Sequence, residues 1–100
     1  MGRFQVTCIN KRGSHLDPHE RISYIGNTNN DWKLAEDDAI ARIKRGADSF
    51  YTLVNGHEAD VVVANHNGRD YLKTSADGYK PDNLLSLVEC GANCKIIPGT

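Results

Sequence analysis

The sequence predicts an α+β domain, and three features predict it. Several stretches carry apolar residues at every second position, one stretch carries them at helical spacing, and an Asn-Gly pair sits between two of the alternating stretches. The expected order is ββαβββ in an antiparallel-rich sheet, with a single main helix on one face and a leucine-rich C-terminal segment packed beside it.

Residues 3–11 alternate, with Phe4, Val6 and Cys8 on one side and Gln5, Thr7 and Ile9 on the other, which is the period of a half-buried strand. The first strand therefore carries an inward-facing thiol. From Arg12 to His19 the chain holds Gly13, Ser14, Asp17 and Pro18, and Pro18 disfavours helical geometry at Asp17, so this stretch reads as loop. Alternation resumes over 21–25, with Ile22 and Tyr24 on one face, and Gly26 followed by Asn27-Thr28-Asn29-Asn30 ends it.

From Leu34 the period changes. Ala39, Ile40 and Ile43 fall at helical spacing, Glu36, Asp37 and Asp38 occupy the first turn, and Arg42, Lys44 and Arg45 the last, an order that complements the helix dipole. Asp38 and Arg42 add an i,i+4 pair worth ~0.3 kcal/mol, and Gly46 suits a left-handed C-terminal position. Ala35 stands where a capping Ser or Thr is usual.

Phe50–Val54, Asn55-Gly56 and Glu58–Ala64 form the clearest hairpin signal, because Asn-Gly supplies both positive-φ residues of a type I′ turn. Val61-Val62-Val63 suggests a strand that is apolar on both faces, hence central in its sheet. Asn65-His66-Asn67-Gly68 turns the chain again, and Arg69–Thr74 makes a fifth strand. After Ala76-Asp77-Gly78 and Pro81-Asp82-Asn83 come Leu84, Leu85, Leu87 and Val88, which need burial. One helix of about 11 residues is only ~16 Å long and ~10 Å wide, too small to cover five strands, so the leucines are expected to dock beside it.

The core expected from these elements is Phe4, Val6, Cys8, Ile22, Tyr24, Ile40, Ile43, Leu53, Val61, Val63, Leu72, Leu84, Leu85 and Leu87. The second face of the sheet carries Ile9, Ile25 and Val62, too few for another layer. One hundred residues suit a single domain over 1–100, with the core in 3–90 and residues 91–100 a tail where order is often poor.

The combination resembles the family of small bacterial and archaeal proteins designated DUF3892. It rests on Val6-Thr7-Cys8-Ile9-Asn10-Lys11, Pro18-His19-Glu20-Arg21-Ile22 with Ile25-Gly26, Trp32, Asp38-Ala39-Ile40, Phe50-Tyr51, Tyr71-Leu72-Lys73-Thr74, Ala76-Asp77-Gly78, and Pro81 to Leu87 with Glu89-Cys90. The chain departs from the family pattern at Val88, at Asn27 and in the extra residues Ser14 to Leu16. The resemblance implies no activity and supplies no catalytic residue, since the family is named for its missing function.

Lys and Arg number 12 against 13 Asp and Glu, a formal charge of −1, so the global field that draws a protein to nucleic acid is missing. A local basic set, Arg3, Lys11 and Arg12, leaves weak nucleic-acid binding as one alternative. A second basic set closes the helix and is already explained by its dipole, and seven aromatics leave few for stacking. No apolar run approaches the ~18–20 residues of a membrane span, and the N-terminal residues contain no signal-peptide apolar region, so a soluble cytoplasmic protein is expected.

Cys8, His19, Cys90 and Cys94 are zinc-binding residue types, and a tail that folds back would bring them together; Cys8, His19 and Cys90 are the candidate metal set. Against a metal, Cys90 and Cys94 are separated by three residues rather than two, and an isolated Cys8 is commonly a buried small hydrophobe. Three cysteines also disfavour a disulfide-stapled scaffold, although a thiol site or a small-loop disulfide at Cys90 and Cys94 fits their spacing. His19 and Glu20 are adjacent and so point to opposite faces, which does not favour general acid–base pairing. His57 and His66 border turns and are expected to be exposed, and Asp77 and Asp82 lack the acidic ladder of a calcium loop. Trp32 suits an anchor for the helix entry. There is no Gly-rich phosphate cradle, Gly-x-Ser-x-Gly elbow or His-Glu-x-x-His, so a non-catalytic binding or regulatory module with a protein partner is the leading expectation.

Overall fold

The computed structural model describes residues 2–11, 22–76, 82–92 and 94–97. They form a sheet-rich α+β globule with strands β1 (Gly2–Gln5), β2 (Cys8–Lys11), β3 (Ile22–Asn27) and β4 (Trp32–Ala35), helix α1 (Glu36–Lys44), strands β5 (Asp48–Val54), β6 (His57–His66) and β7 (Arg69–Thr74), a single turn α2 (Asp82–Leu85), and two short strands, β8 (Val88–Glu89) and β9 (Lys95–Ile96). The α+β class, the single main helix and the docked leucine segment follow the sequence pattern. The single sheet and the ββαβββ order do not: a four-stranded sheet runs β1-β5-β6-β7, and a five-stranded sheet runs β8-β2-β3-β4-β9.

The division originates at two consecutive residues. Val6 N–H donates to Tyr51 O in β5 at 2.7 Å, while Thr7 N–H donates to Gly26 O in β3 at 2.8 Å. The chain thus leaves one sheet and joins the other in a single step, and the alternation over 3–11 does not describe one continuous strand. Asn27 ties the joint: its Nδ2 donates to Gln5 O at 3.0 Å, and its Oδ1 accepts from the backbone of Asn29 and Asn30. Strand β4 was hidden because Leu34 and Ala35 read equally well as the start of the helix that follows, and it is pairing with β3 that holds them extended.

This re-phasing corrects the core. Ile9 and Ile25, expected on a second face, are fully buried with Leu34 in one cross-strand row against the helix side. Phe4 and Leu53, expected inside, are 41% and 46% exposed: Leu53 because β5 turns Phe50 and Thr52 inward instead, Phe4 because it sits beside Phe50 on the edge strand β1. Tyr24 is half-buried on the opposite face from Ile25.

Helix α1 has no side-chain cap at Ala35, and it ends as its charge order suggests. Gly46 adopts φ 72°, and the N–H groups of Gly46 and Ala47 return to Ile43 O and Arg42 O, a Schellman closure. Glu36, in its first turn, is buried and accepts from Arg69 Nη2 at 3.0 Å. The Asn55-Gly56 hairpin has φ of 51° and 79°, and Asn67-Gly68 repeats the geometry between β6 and β7.

Leu84 is fully buried in the same core as Ala39 and Ile40, with Leu85 and Leu87 packed against it. Asn83 Nδ2 donates to Thr74 Oγ1 at 3.0 Å and fixes the turn on β7. Among the described residues, no helix is long and apolar enough to cross a membrane.

Candidate functional site

Strand β2 is buried on both faces. Ile9 points into the main core, so Cys8, one residue earlier, points to the other side of the five-stranded sheet. On that side the register sets Cys8 beside Gly26 and Gly26 beside Lys33. The tail comes to the same place. Strand β8 pairs with β2 in parallel, Val88 opposite Cys8, and Cys90 N–H then donates to Ile9 O at 3.1 Å while Asn10 Nδ2 donates to Cys90 O at 3.3 Å. A turn closed by Cys94 N–H to Gly91 O at 3.1 Å returns the chain, and β9 pairs with β4 at the opposite edge.

Gly26 makes room for this crossing. A Cβ there would lie 2.4 Å from the carbonyl oxygen of Trp32 and 2.9 Å from Cys90 Sγ, so only glycine lets the tail sulfur rest against β3. The sequence pattern treats Gly26 as the end of a strand, whereas it is an interior position kept bare for its neighbour.

The result is a three-sulfur centre. Cys8 and Cys90 are joined by a disulfide, S–S 2.06 Å, across 82 positions of sequence. Cys94 is a buried free thiol, and the three Sγ atoms lie within 4.8 Å of one another. Cys8 is thus buried, as a small hydrophobe would be, but it is bonded, which corrects both the core-thiol expectation and the expectation against a disulfide staple. The partner of Cys90 is Cys8 rather than Cys94. Of the zinc set Cys8, His19 and Cys90, the structure unites the two cysteines and adds Cys94; His19 lies outside the described residues.

The remaining candidates separate. Arg3 donates to Glu58 at 2.6 Å and Asp60 at 3.0 Å and stacks over Tyr51 at 4.4 Å; its hydrogen bond to Asp60 leads the effects that raise its pKa above the ordinary value. Lys11 is exposed at the end of β2, and Arg12, Glu20, Arg21 and Asp77 lie outside the described residues. His57 is exposed as expected, but His66 is half-buried, with Nε2 3.2 Å from Asn67 Nδ2. A groove of about 420 Å³ is lined by His57, Glu58 and Ser86 among others, yet Ser86 donates to Asn83 O and Glu58 accepts from Arg3, so these three do not form a relay. Trp32 lies on β4 and meets Phe4 and Phe50 at centroid distances of 6.0 and 6.3 Å, bridging the two sheets beside a cavity of about 120 Å³ that Ile97 also lines.

With this geometry established, the pattern of one known family, described as a protein of unknown function (DUF3892), matches residues 5–88. The chain belongs to this family. The DUF3892 match takes in Cys8 and stops before Cys90 and Cys94, so it covers β2 through α2 and leaves β9 and two of the three sulfurs beyond its end. No curated protein matches the chain, and neither does any solved structure.

Chemically, the centre offers one oxidised sulfur pair and one thiol in a pocket shielded from water. Two-electron reduction would give three thiols, a donor set suited to soft or borderline cations such as zinc. The cysteine-rich end was legible as residue types; what alternation could not supply was the pairing across 82 positions.

Proposed function

We propose that the protein is a small non-catalytic binding or regulatory module whose C-terminal segment is fastened across the five-stranded sheet by its sulfur centre, so that the oxidation state of the centre sets how firmly the segment is held. The observation that carries this reading is the union of β2 and the tail through Cys8 and Cys90, with Cys94 buried beside them. Strands β8 and β9 are two residues each, too short to hold the segment by backbone pairing alone. In a cytoplasmic setting, the expectation from composition, the thiols would be kept reduced and oxidation would be the event that fastens the tail. The partner would be a protein that distinguishes the fastened from the loosened segment. Recognition of nucleic acid through Arg3 is disfavoured by its engagement with Glu58 and Asp60.

Amide exchange of the folded chain with and without reductant tests this. Protection over residues 88–97 should fall on reduction while the β5–β6–β7 meander keeps its protection. Equal protection of 88–97 in both states removes the reading.

A second reading has its own observation, the 4.8 Å clustering of three sulfurs. In the reduced protein Cys8, Cys90 and Cys94 would supply three thiolates to zinc, with water or His19 as a fourth ligand. Stoichiometric zinc in reduced protein purified without chelator favours it, and metal-free, folded, reduced protein eliminates it.

A further inference from the structure

We infer that Cys94 exchanges with the Cys8–Cys90 bridge, so that one disulfide moves among three sulfurs. The inference rests on the reading of the centre as a redox clamp and adds the residue that moves the bond. Thiol–disulfide exchange needs a thiolate that can approach one sulfur of the bridge in line, and Cys94 is the free cysteine buried within 4.8 Å of both bridge sulfurs. The turn closed by Cys94 N–H to Gly91 O carries the chain back, and it is in this returned position that the thiol lies within 4.8 Å of the bridge sulfurs.

The step balances within the chain. Cys94 gives its proton to solvent, its thiolate attacks Cys90 Sγ, the Cys90–Cys94 bond forms as the Cys8–Cys90 bond breaks, and Cys8 leaves as a thiolate that takes a proton from water. Attack at Cys8 instead yields Cys8–Cys94 and frees Cys90. In either case two sulfurs remain oxidised and no external oxidant or reductant is consumed.

The products differ mechanically. Cys8–Cys90 ties the tail to β2 just after β8. Cys8–Cys94 would tie β2 to the residue immediately before β9. Cys90–Cys94 would link the tail only to itself and return β2 to short backbone pairing. Because Ile97 follows β9 and lines the cavity beside Phe4, Trp32 and Phe50, moving the bond changes how firmly this aromatic group is covered.

The test uses the folded full-length chain, oxidised and incubated at and above neutral pH. Samples are quenched with acid over time, unfolded and alkylated with N-ethylmaleimide under mildly acidic conditions that slow exchange, then mapped by peptide mass spectrometry without reduction. The expected result is label at Cys94 initially and increasingly at Cys8 or Cys90, with the matching Cys90–Cys94 or Cys8–Cys94 peptides. Label confined to Cys94 at every time overturns the inference and leaves the clamp standing. Label on all three cysteines from the start shows that no bridge forms and overturns both. Cys94→Ala serves as the second measurement: its bridge should stay at Cys8–Cys90 with no label, and label at Cys8 or Cys90 in this variant would assign the movement to another cause.

Discussion

The two sheets of this molecule are specified in different ways. The β5–β6–β7 part of the four-stranded sheet is a meander whose turns, Asn55-Gly56 and Asn67-Gly68, are written in adjacent residues with positive φ. The five-stranded sheet is assembled from distant parts: β2, β3 and β4 near the start of the chain and β8 and β9 near its end, the latter paired in parallel and tied by a bond spanning 82 positions. Local turn chemistry makes the first robust to events elsewhere, whereas the second depends on a closure whose entropic cost the bridge offsets. The region that can respond to redox conditions is therefore the one assembled from afar.

The sharpest way to break this contrast is to remove the bridge. A loop of this length predicts that oxidation stabilises the wild type by ~4 kcal/mol relative to its reduced form. In urea titrations with and without reductant, Cys8→Ala should show far less response to reductant than the wild type, and an equal response in the two would show that the bridge contributes nothing. Next in size is Gly26→Ala. Its Cβ would meet the Trp32 carbonyl at 2.4 Å and Cys90 Sγ at 2.9 Å, so a loss of ~2–3 kcal/mol is expected, accompanied by faster alkylation of Cys94 as the tail is displaced. Unchanged stability would mean that the tail does not cross β3 there.

The local sheet should behave otherwise. Gly56 has φ 79° with open space around it, so Gly56→Ala carries backbone strain of ~1 kcal/mol and should leave the cysteine alkylation pattern of the wild type intact. A changed alkylation pattern would show that the two regions are coupled.

The smallest effect is electrostatic. Lys44, above all, and then Asn65 hydrogen-bond the Asp70 carboxylate and hold its pKa below the ordinary 3.8. A depressed folded-state pKa stabilises the fold above the unfolded value, and that contribution is lost as pH falls from about 3.8 through the lower folded value. Asp70→Asn should therefore be slightly less stable than the wild type at neutral pH, with the difference closing in acid and shrinking in salt because the pair is solvent-exposed. A difference that does not vary with pH would remove the carboxylate as its source.

Legibility in the sequence follows the same division. The hairpin turns, helix end and buried Leu84 could be read because each depends on neighbouring residues: paired positive-φ positions, a charge order closed by glycine, an apolar cluster needing cover. The phase break at Val6 and Thr7 could not, since both residues fit an uninterrupted strand and only their different hydrogen-bond partners separate the sheets. Strand β4 was concealed by the adjoining helix, and β8 and β9 are too short to carry a period. At the sulfur centre the residue types were visible and Cys94 was among them. Selecting Cys8, His19 and Cys90 omitted the third clustered sulfur, because nothing local to Cys94 reveals that a turn folds it onto β2.

One consequence follows from the reach of the covalent tie. Bonding position 8 to position 90 encloses every element from β2 to β8 in a ring. While the Cys8–Cys90 bond stands, a protease that severs any one backbone link inside the ring liberates no fragment, and the two pieces stay joined through sulfur. Damage to the chain would thus stay concealed while that bond holds and emerge when it opens.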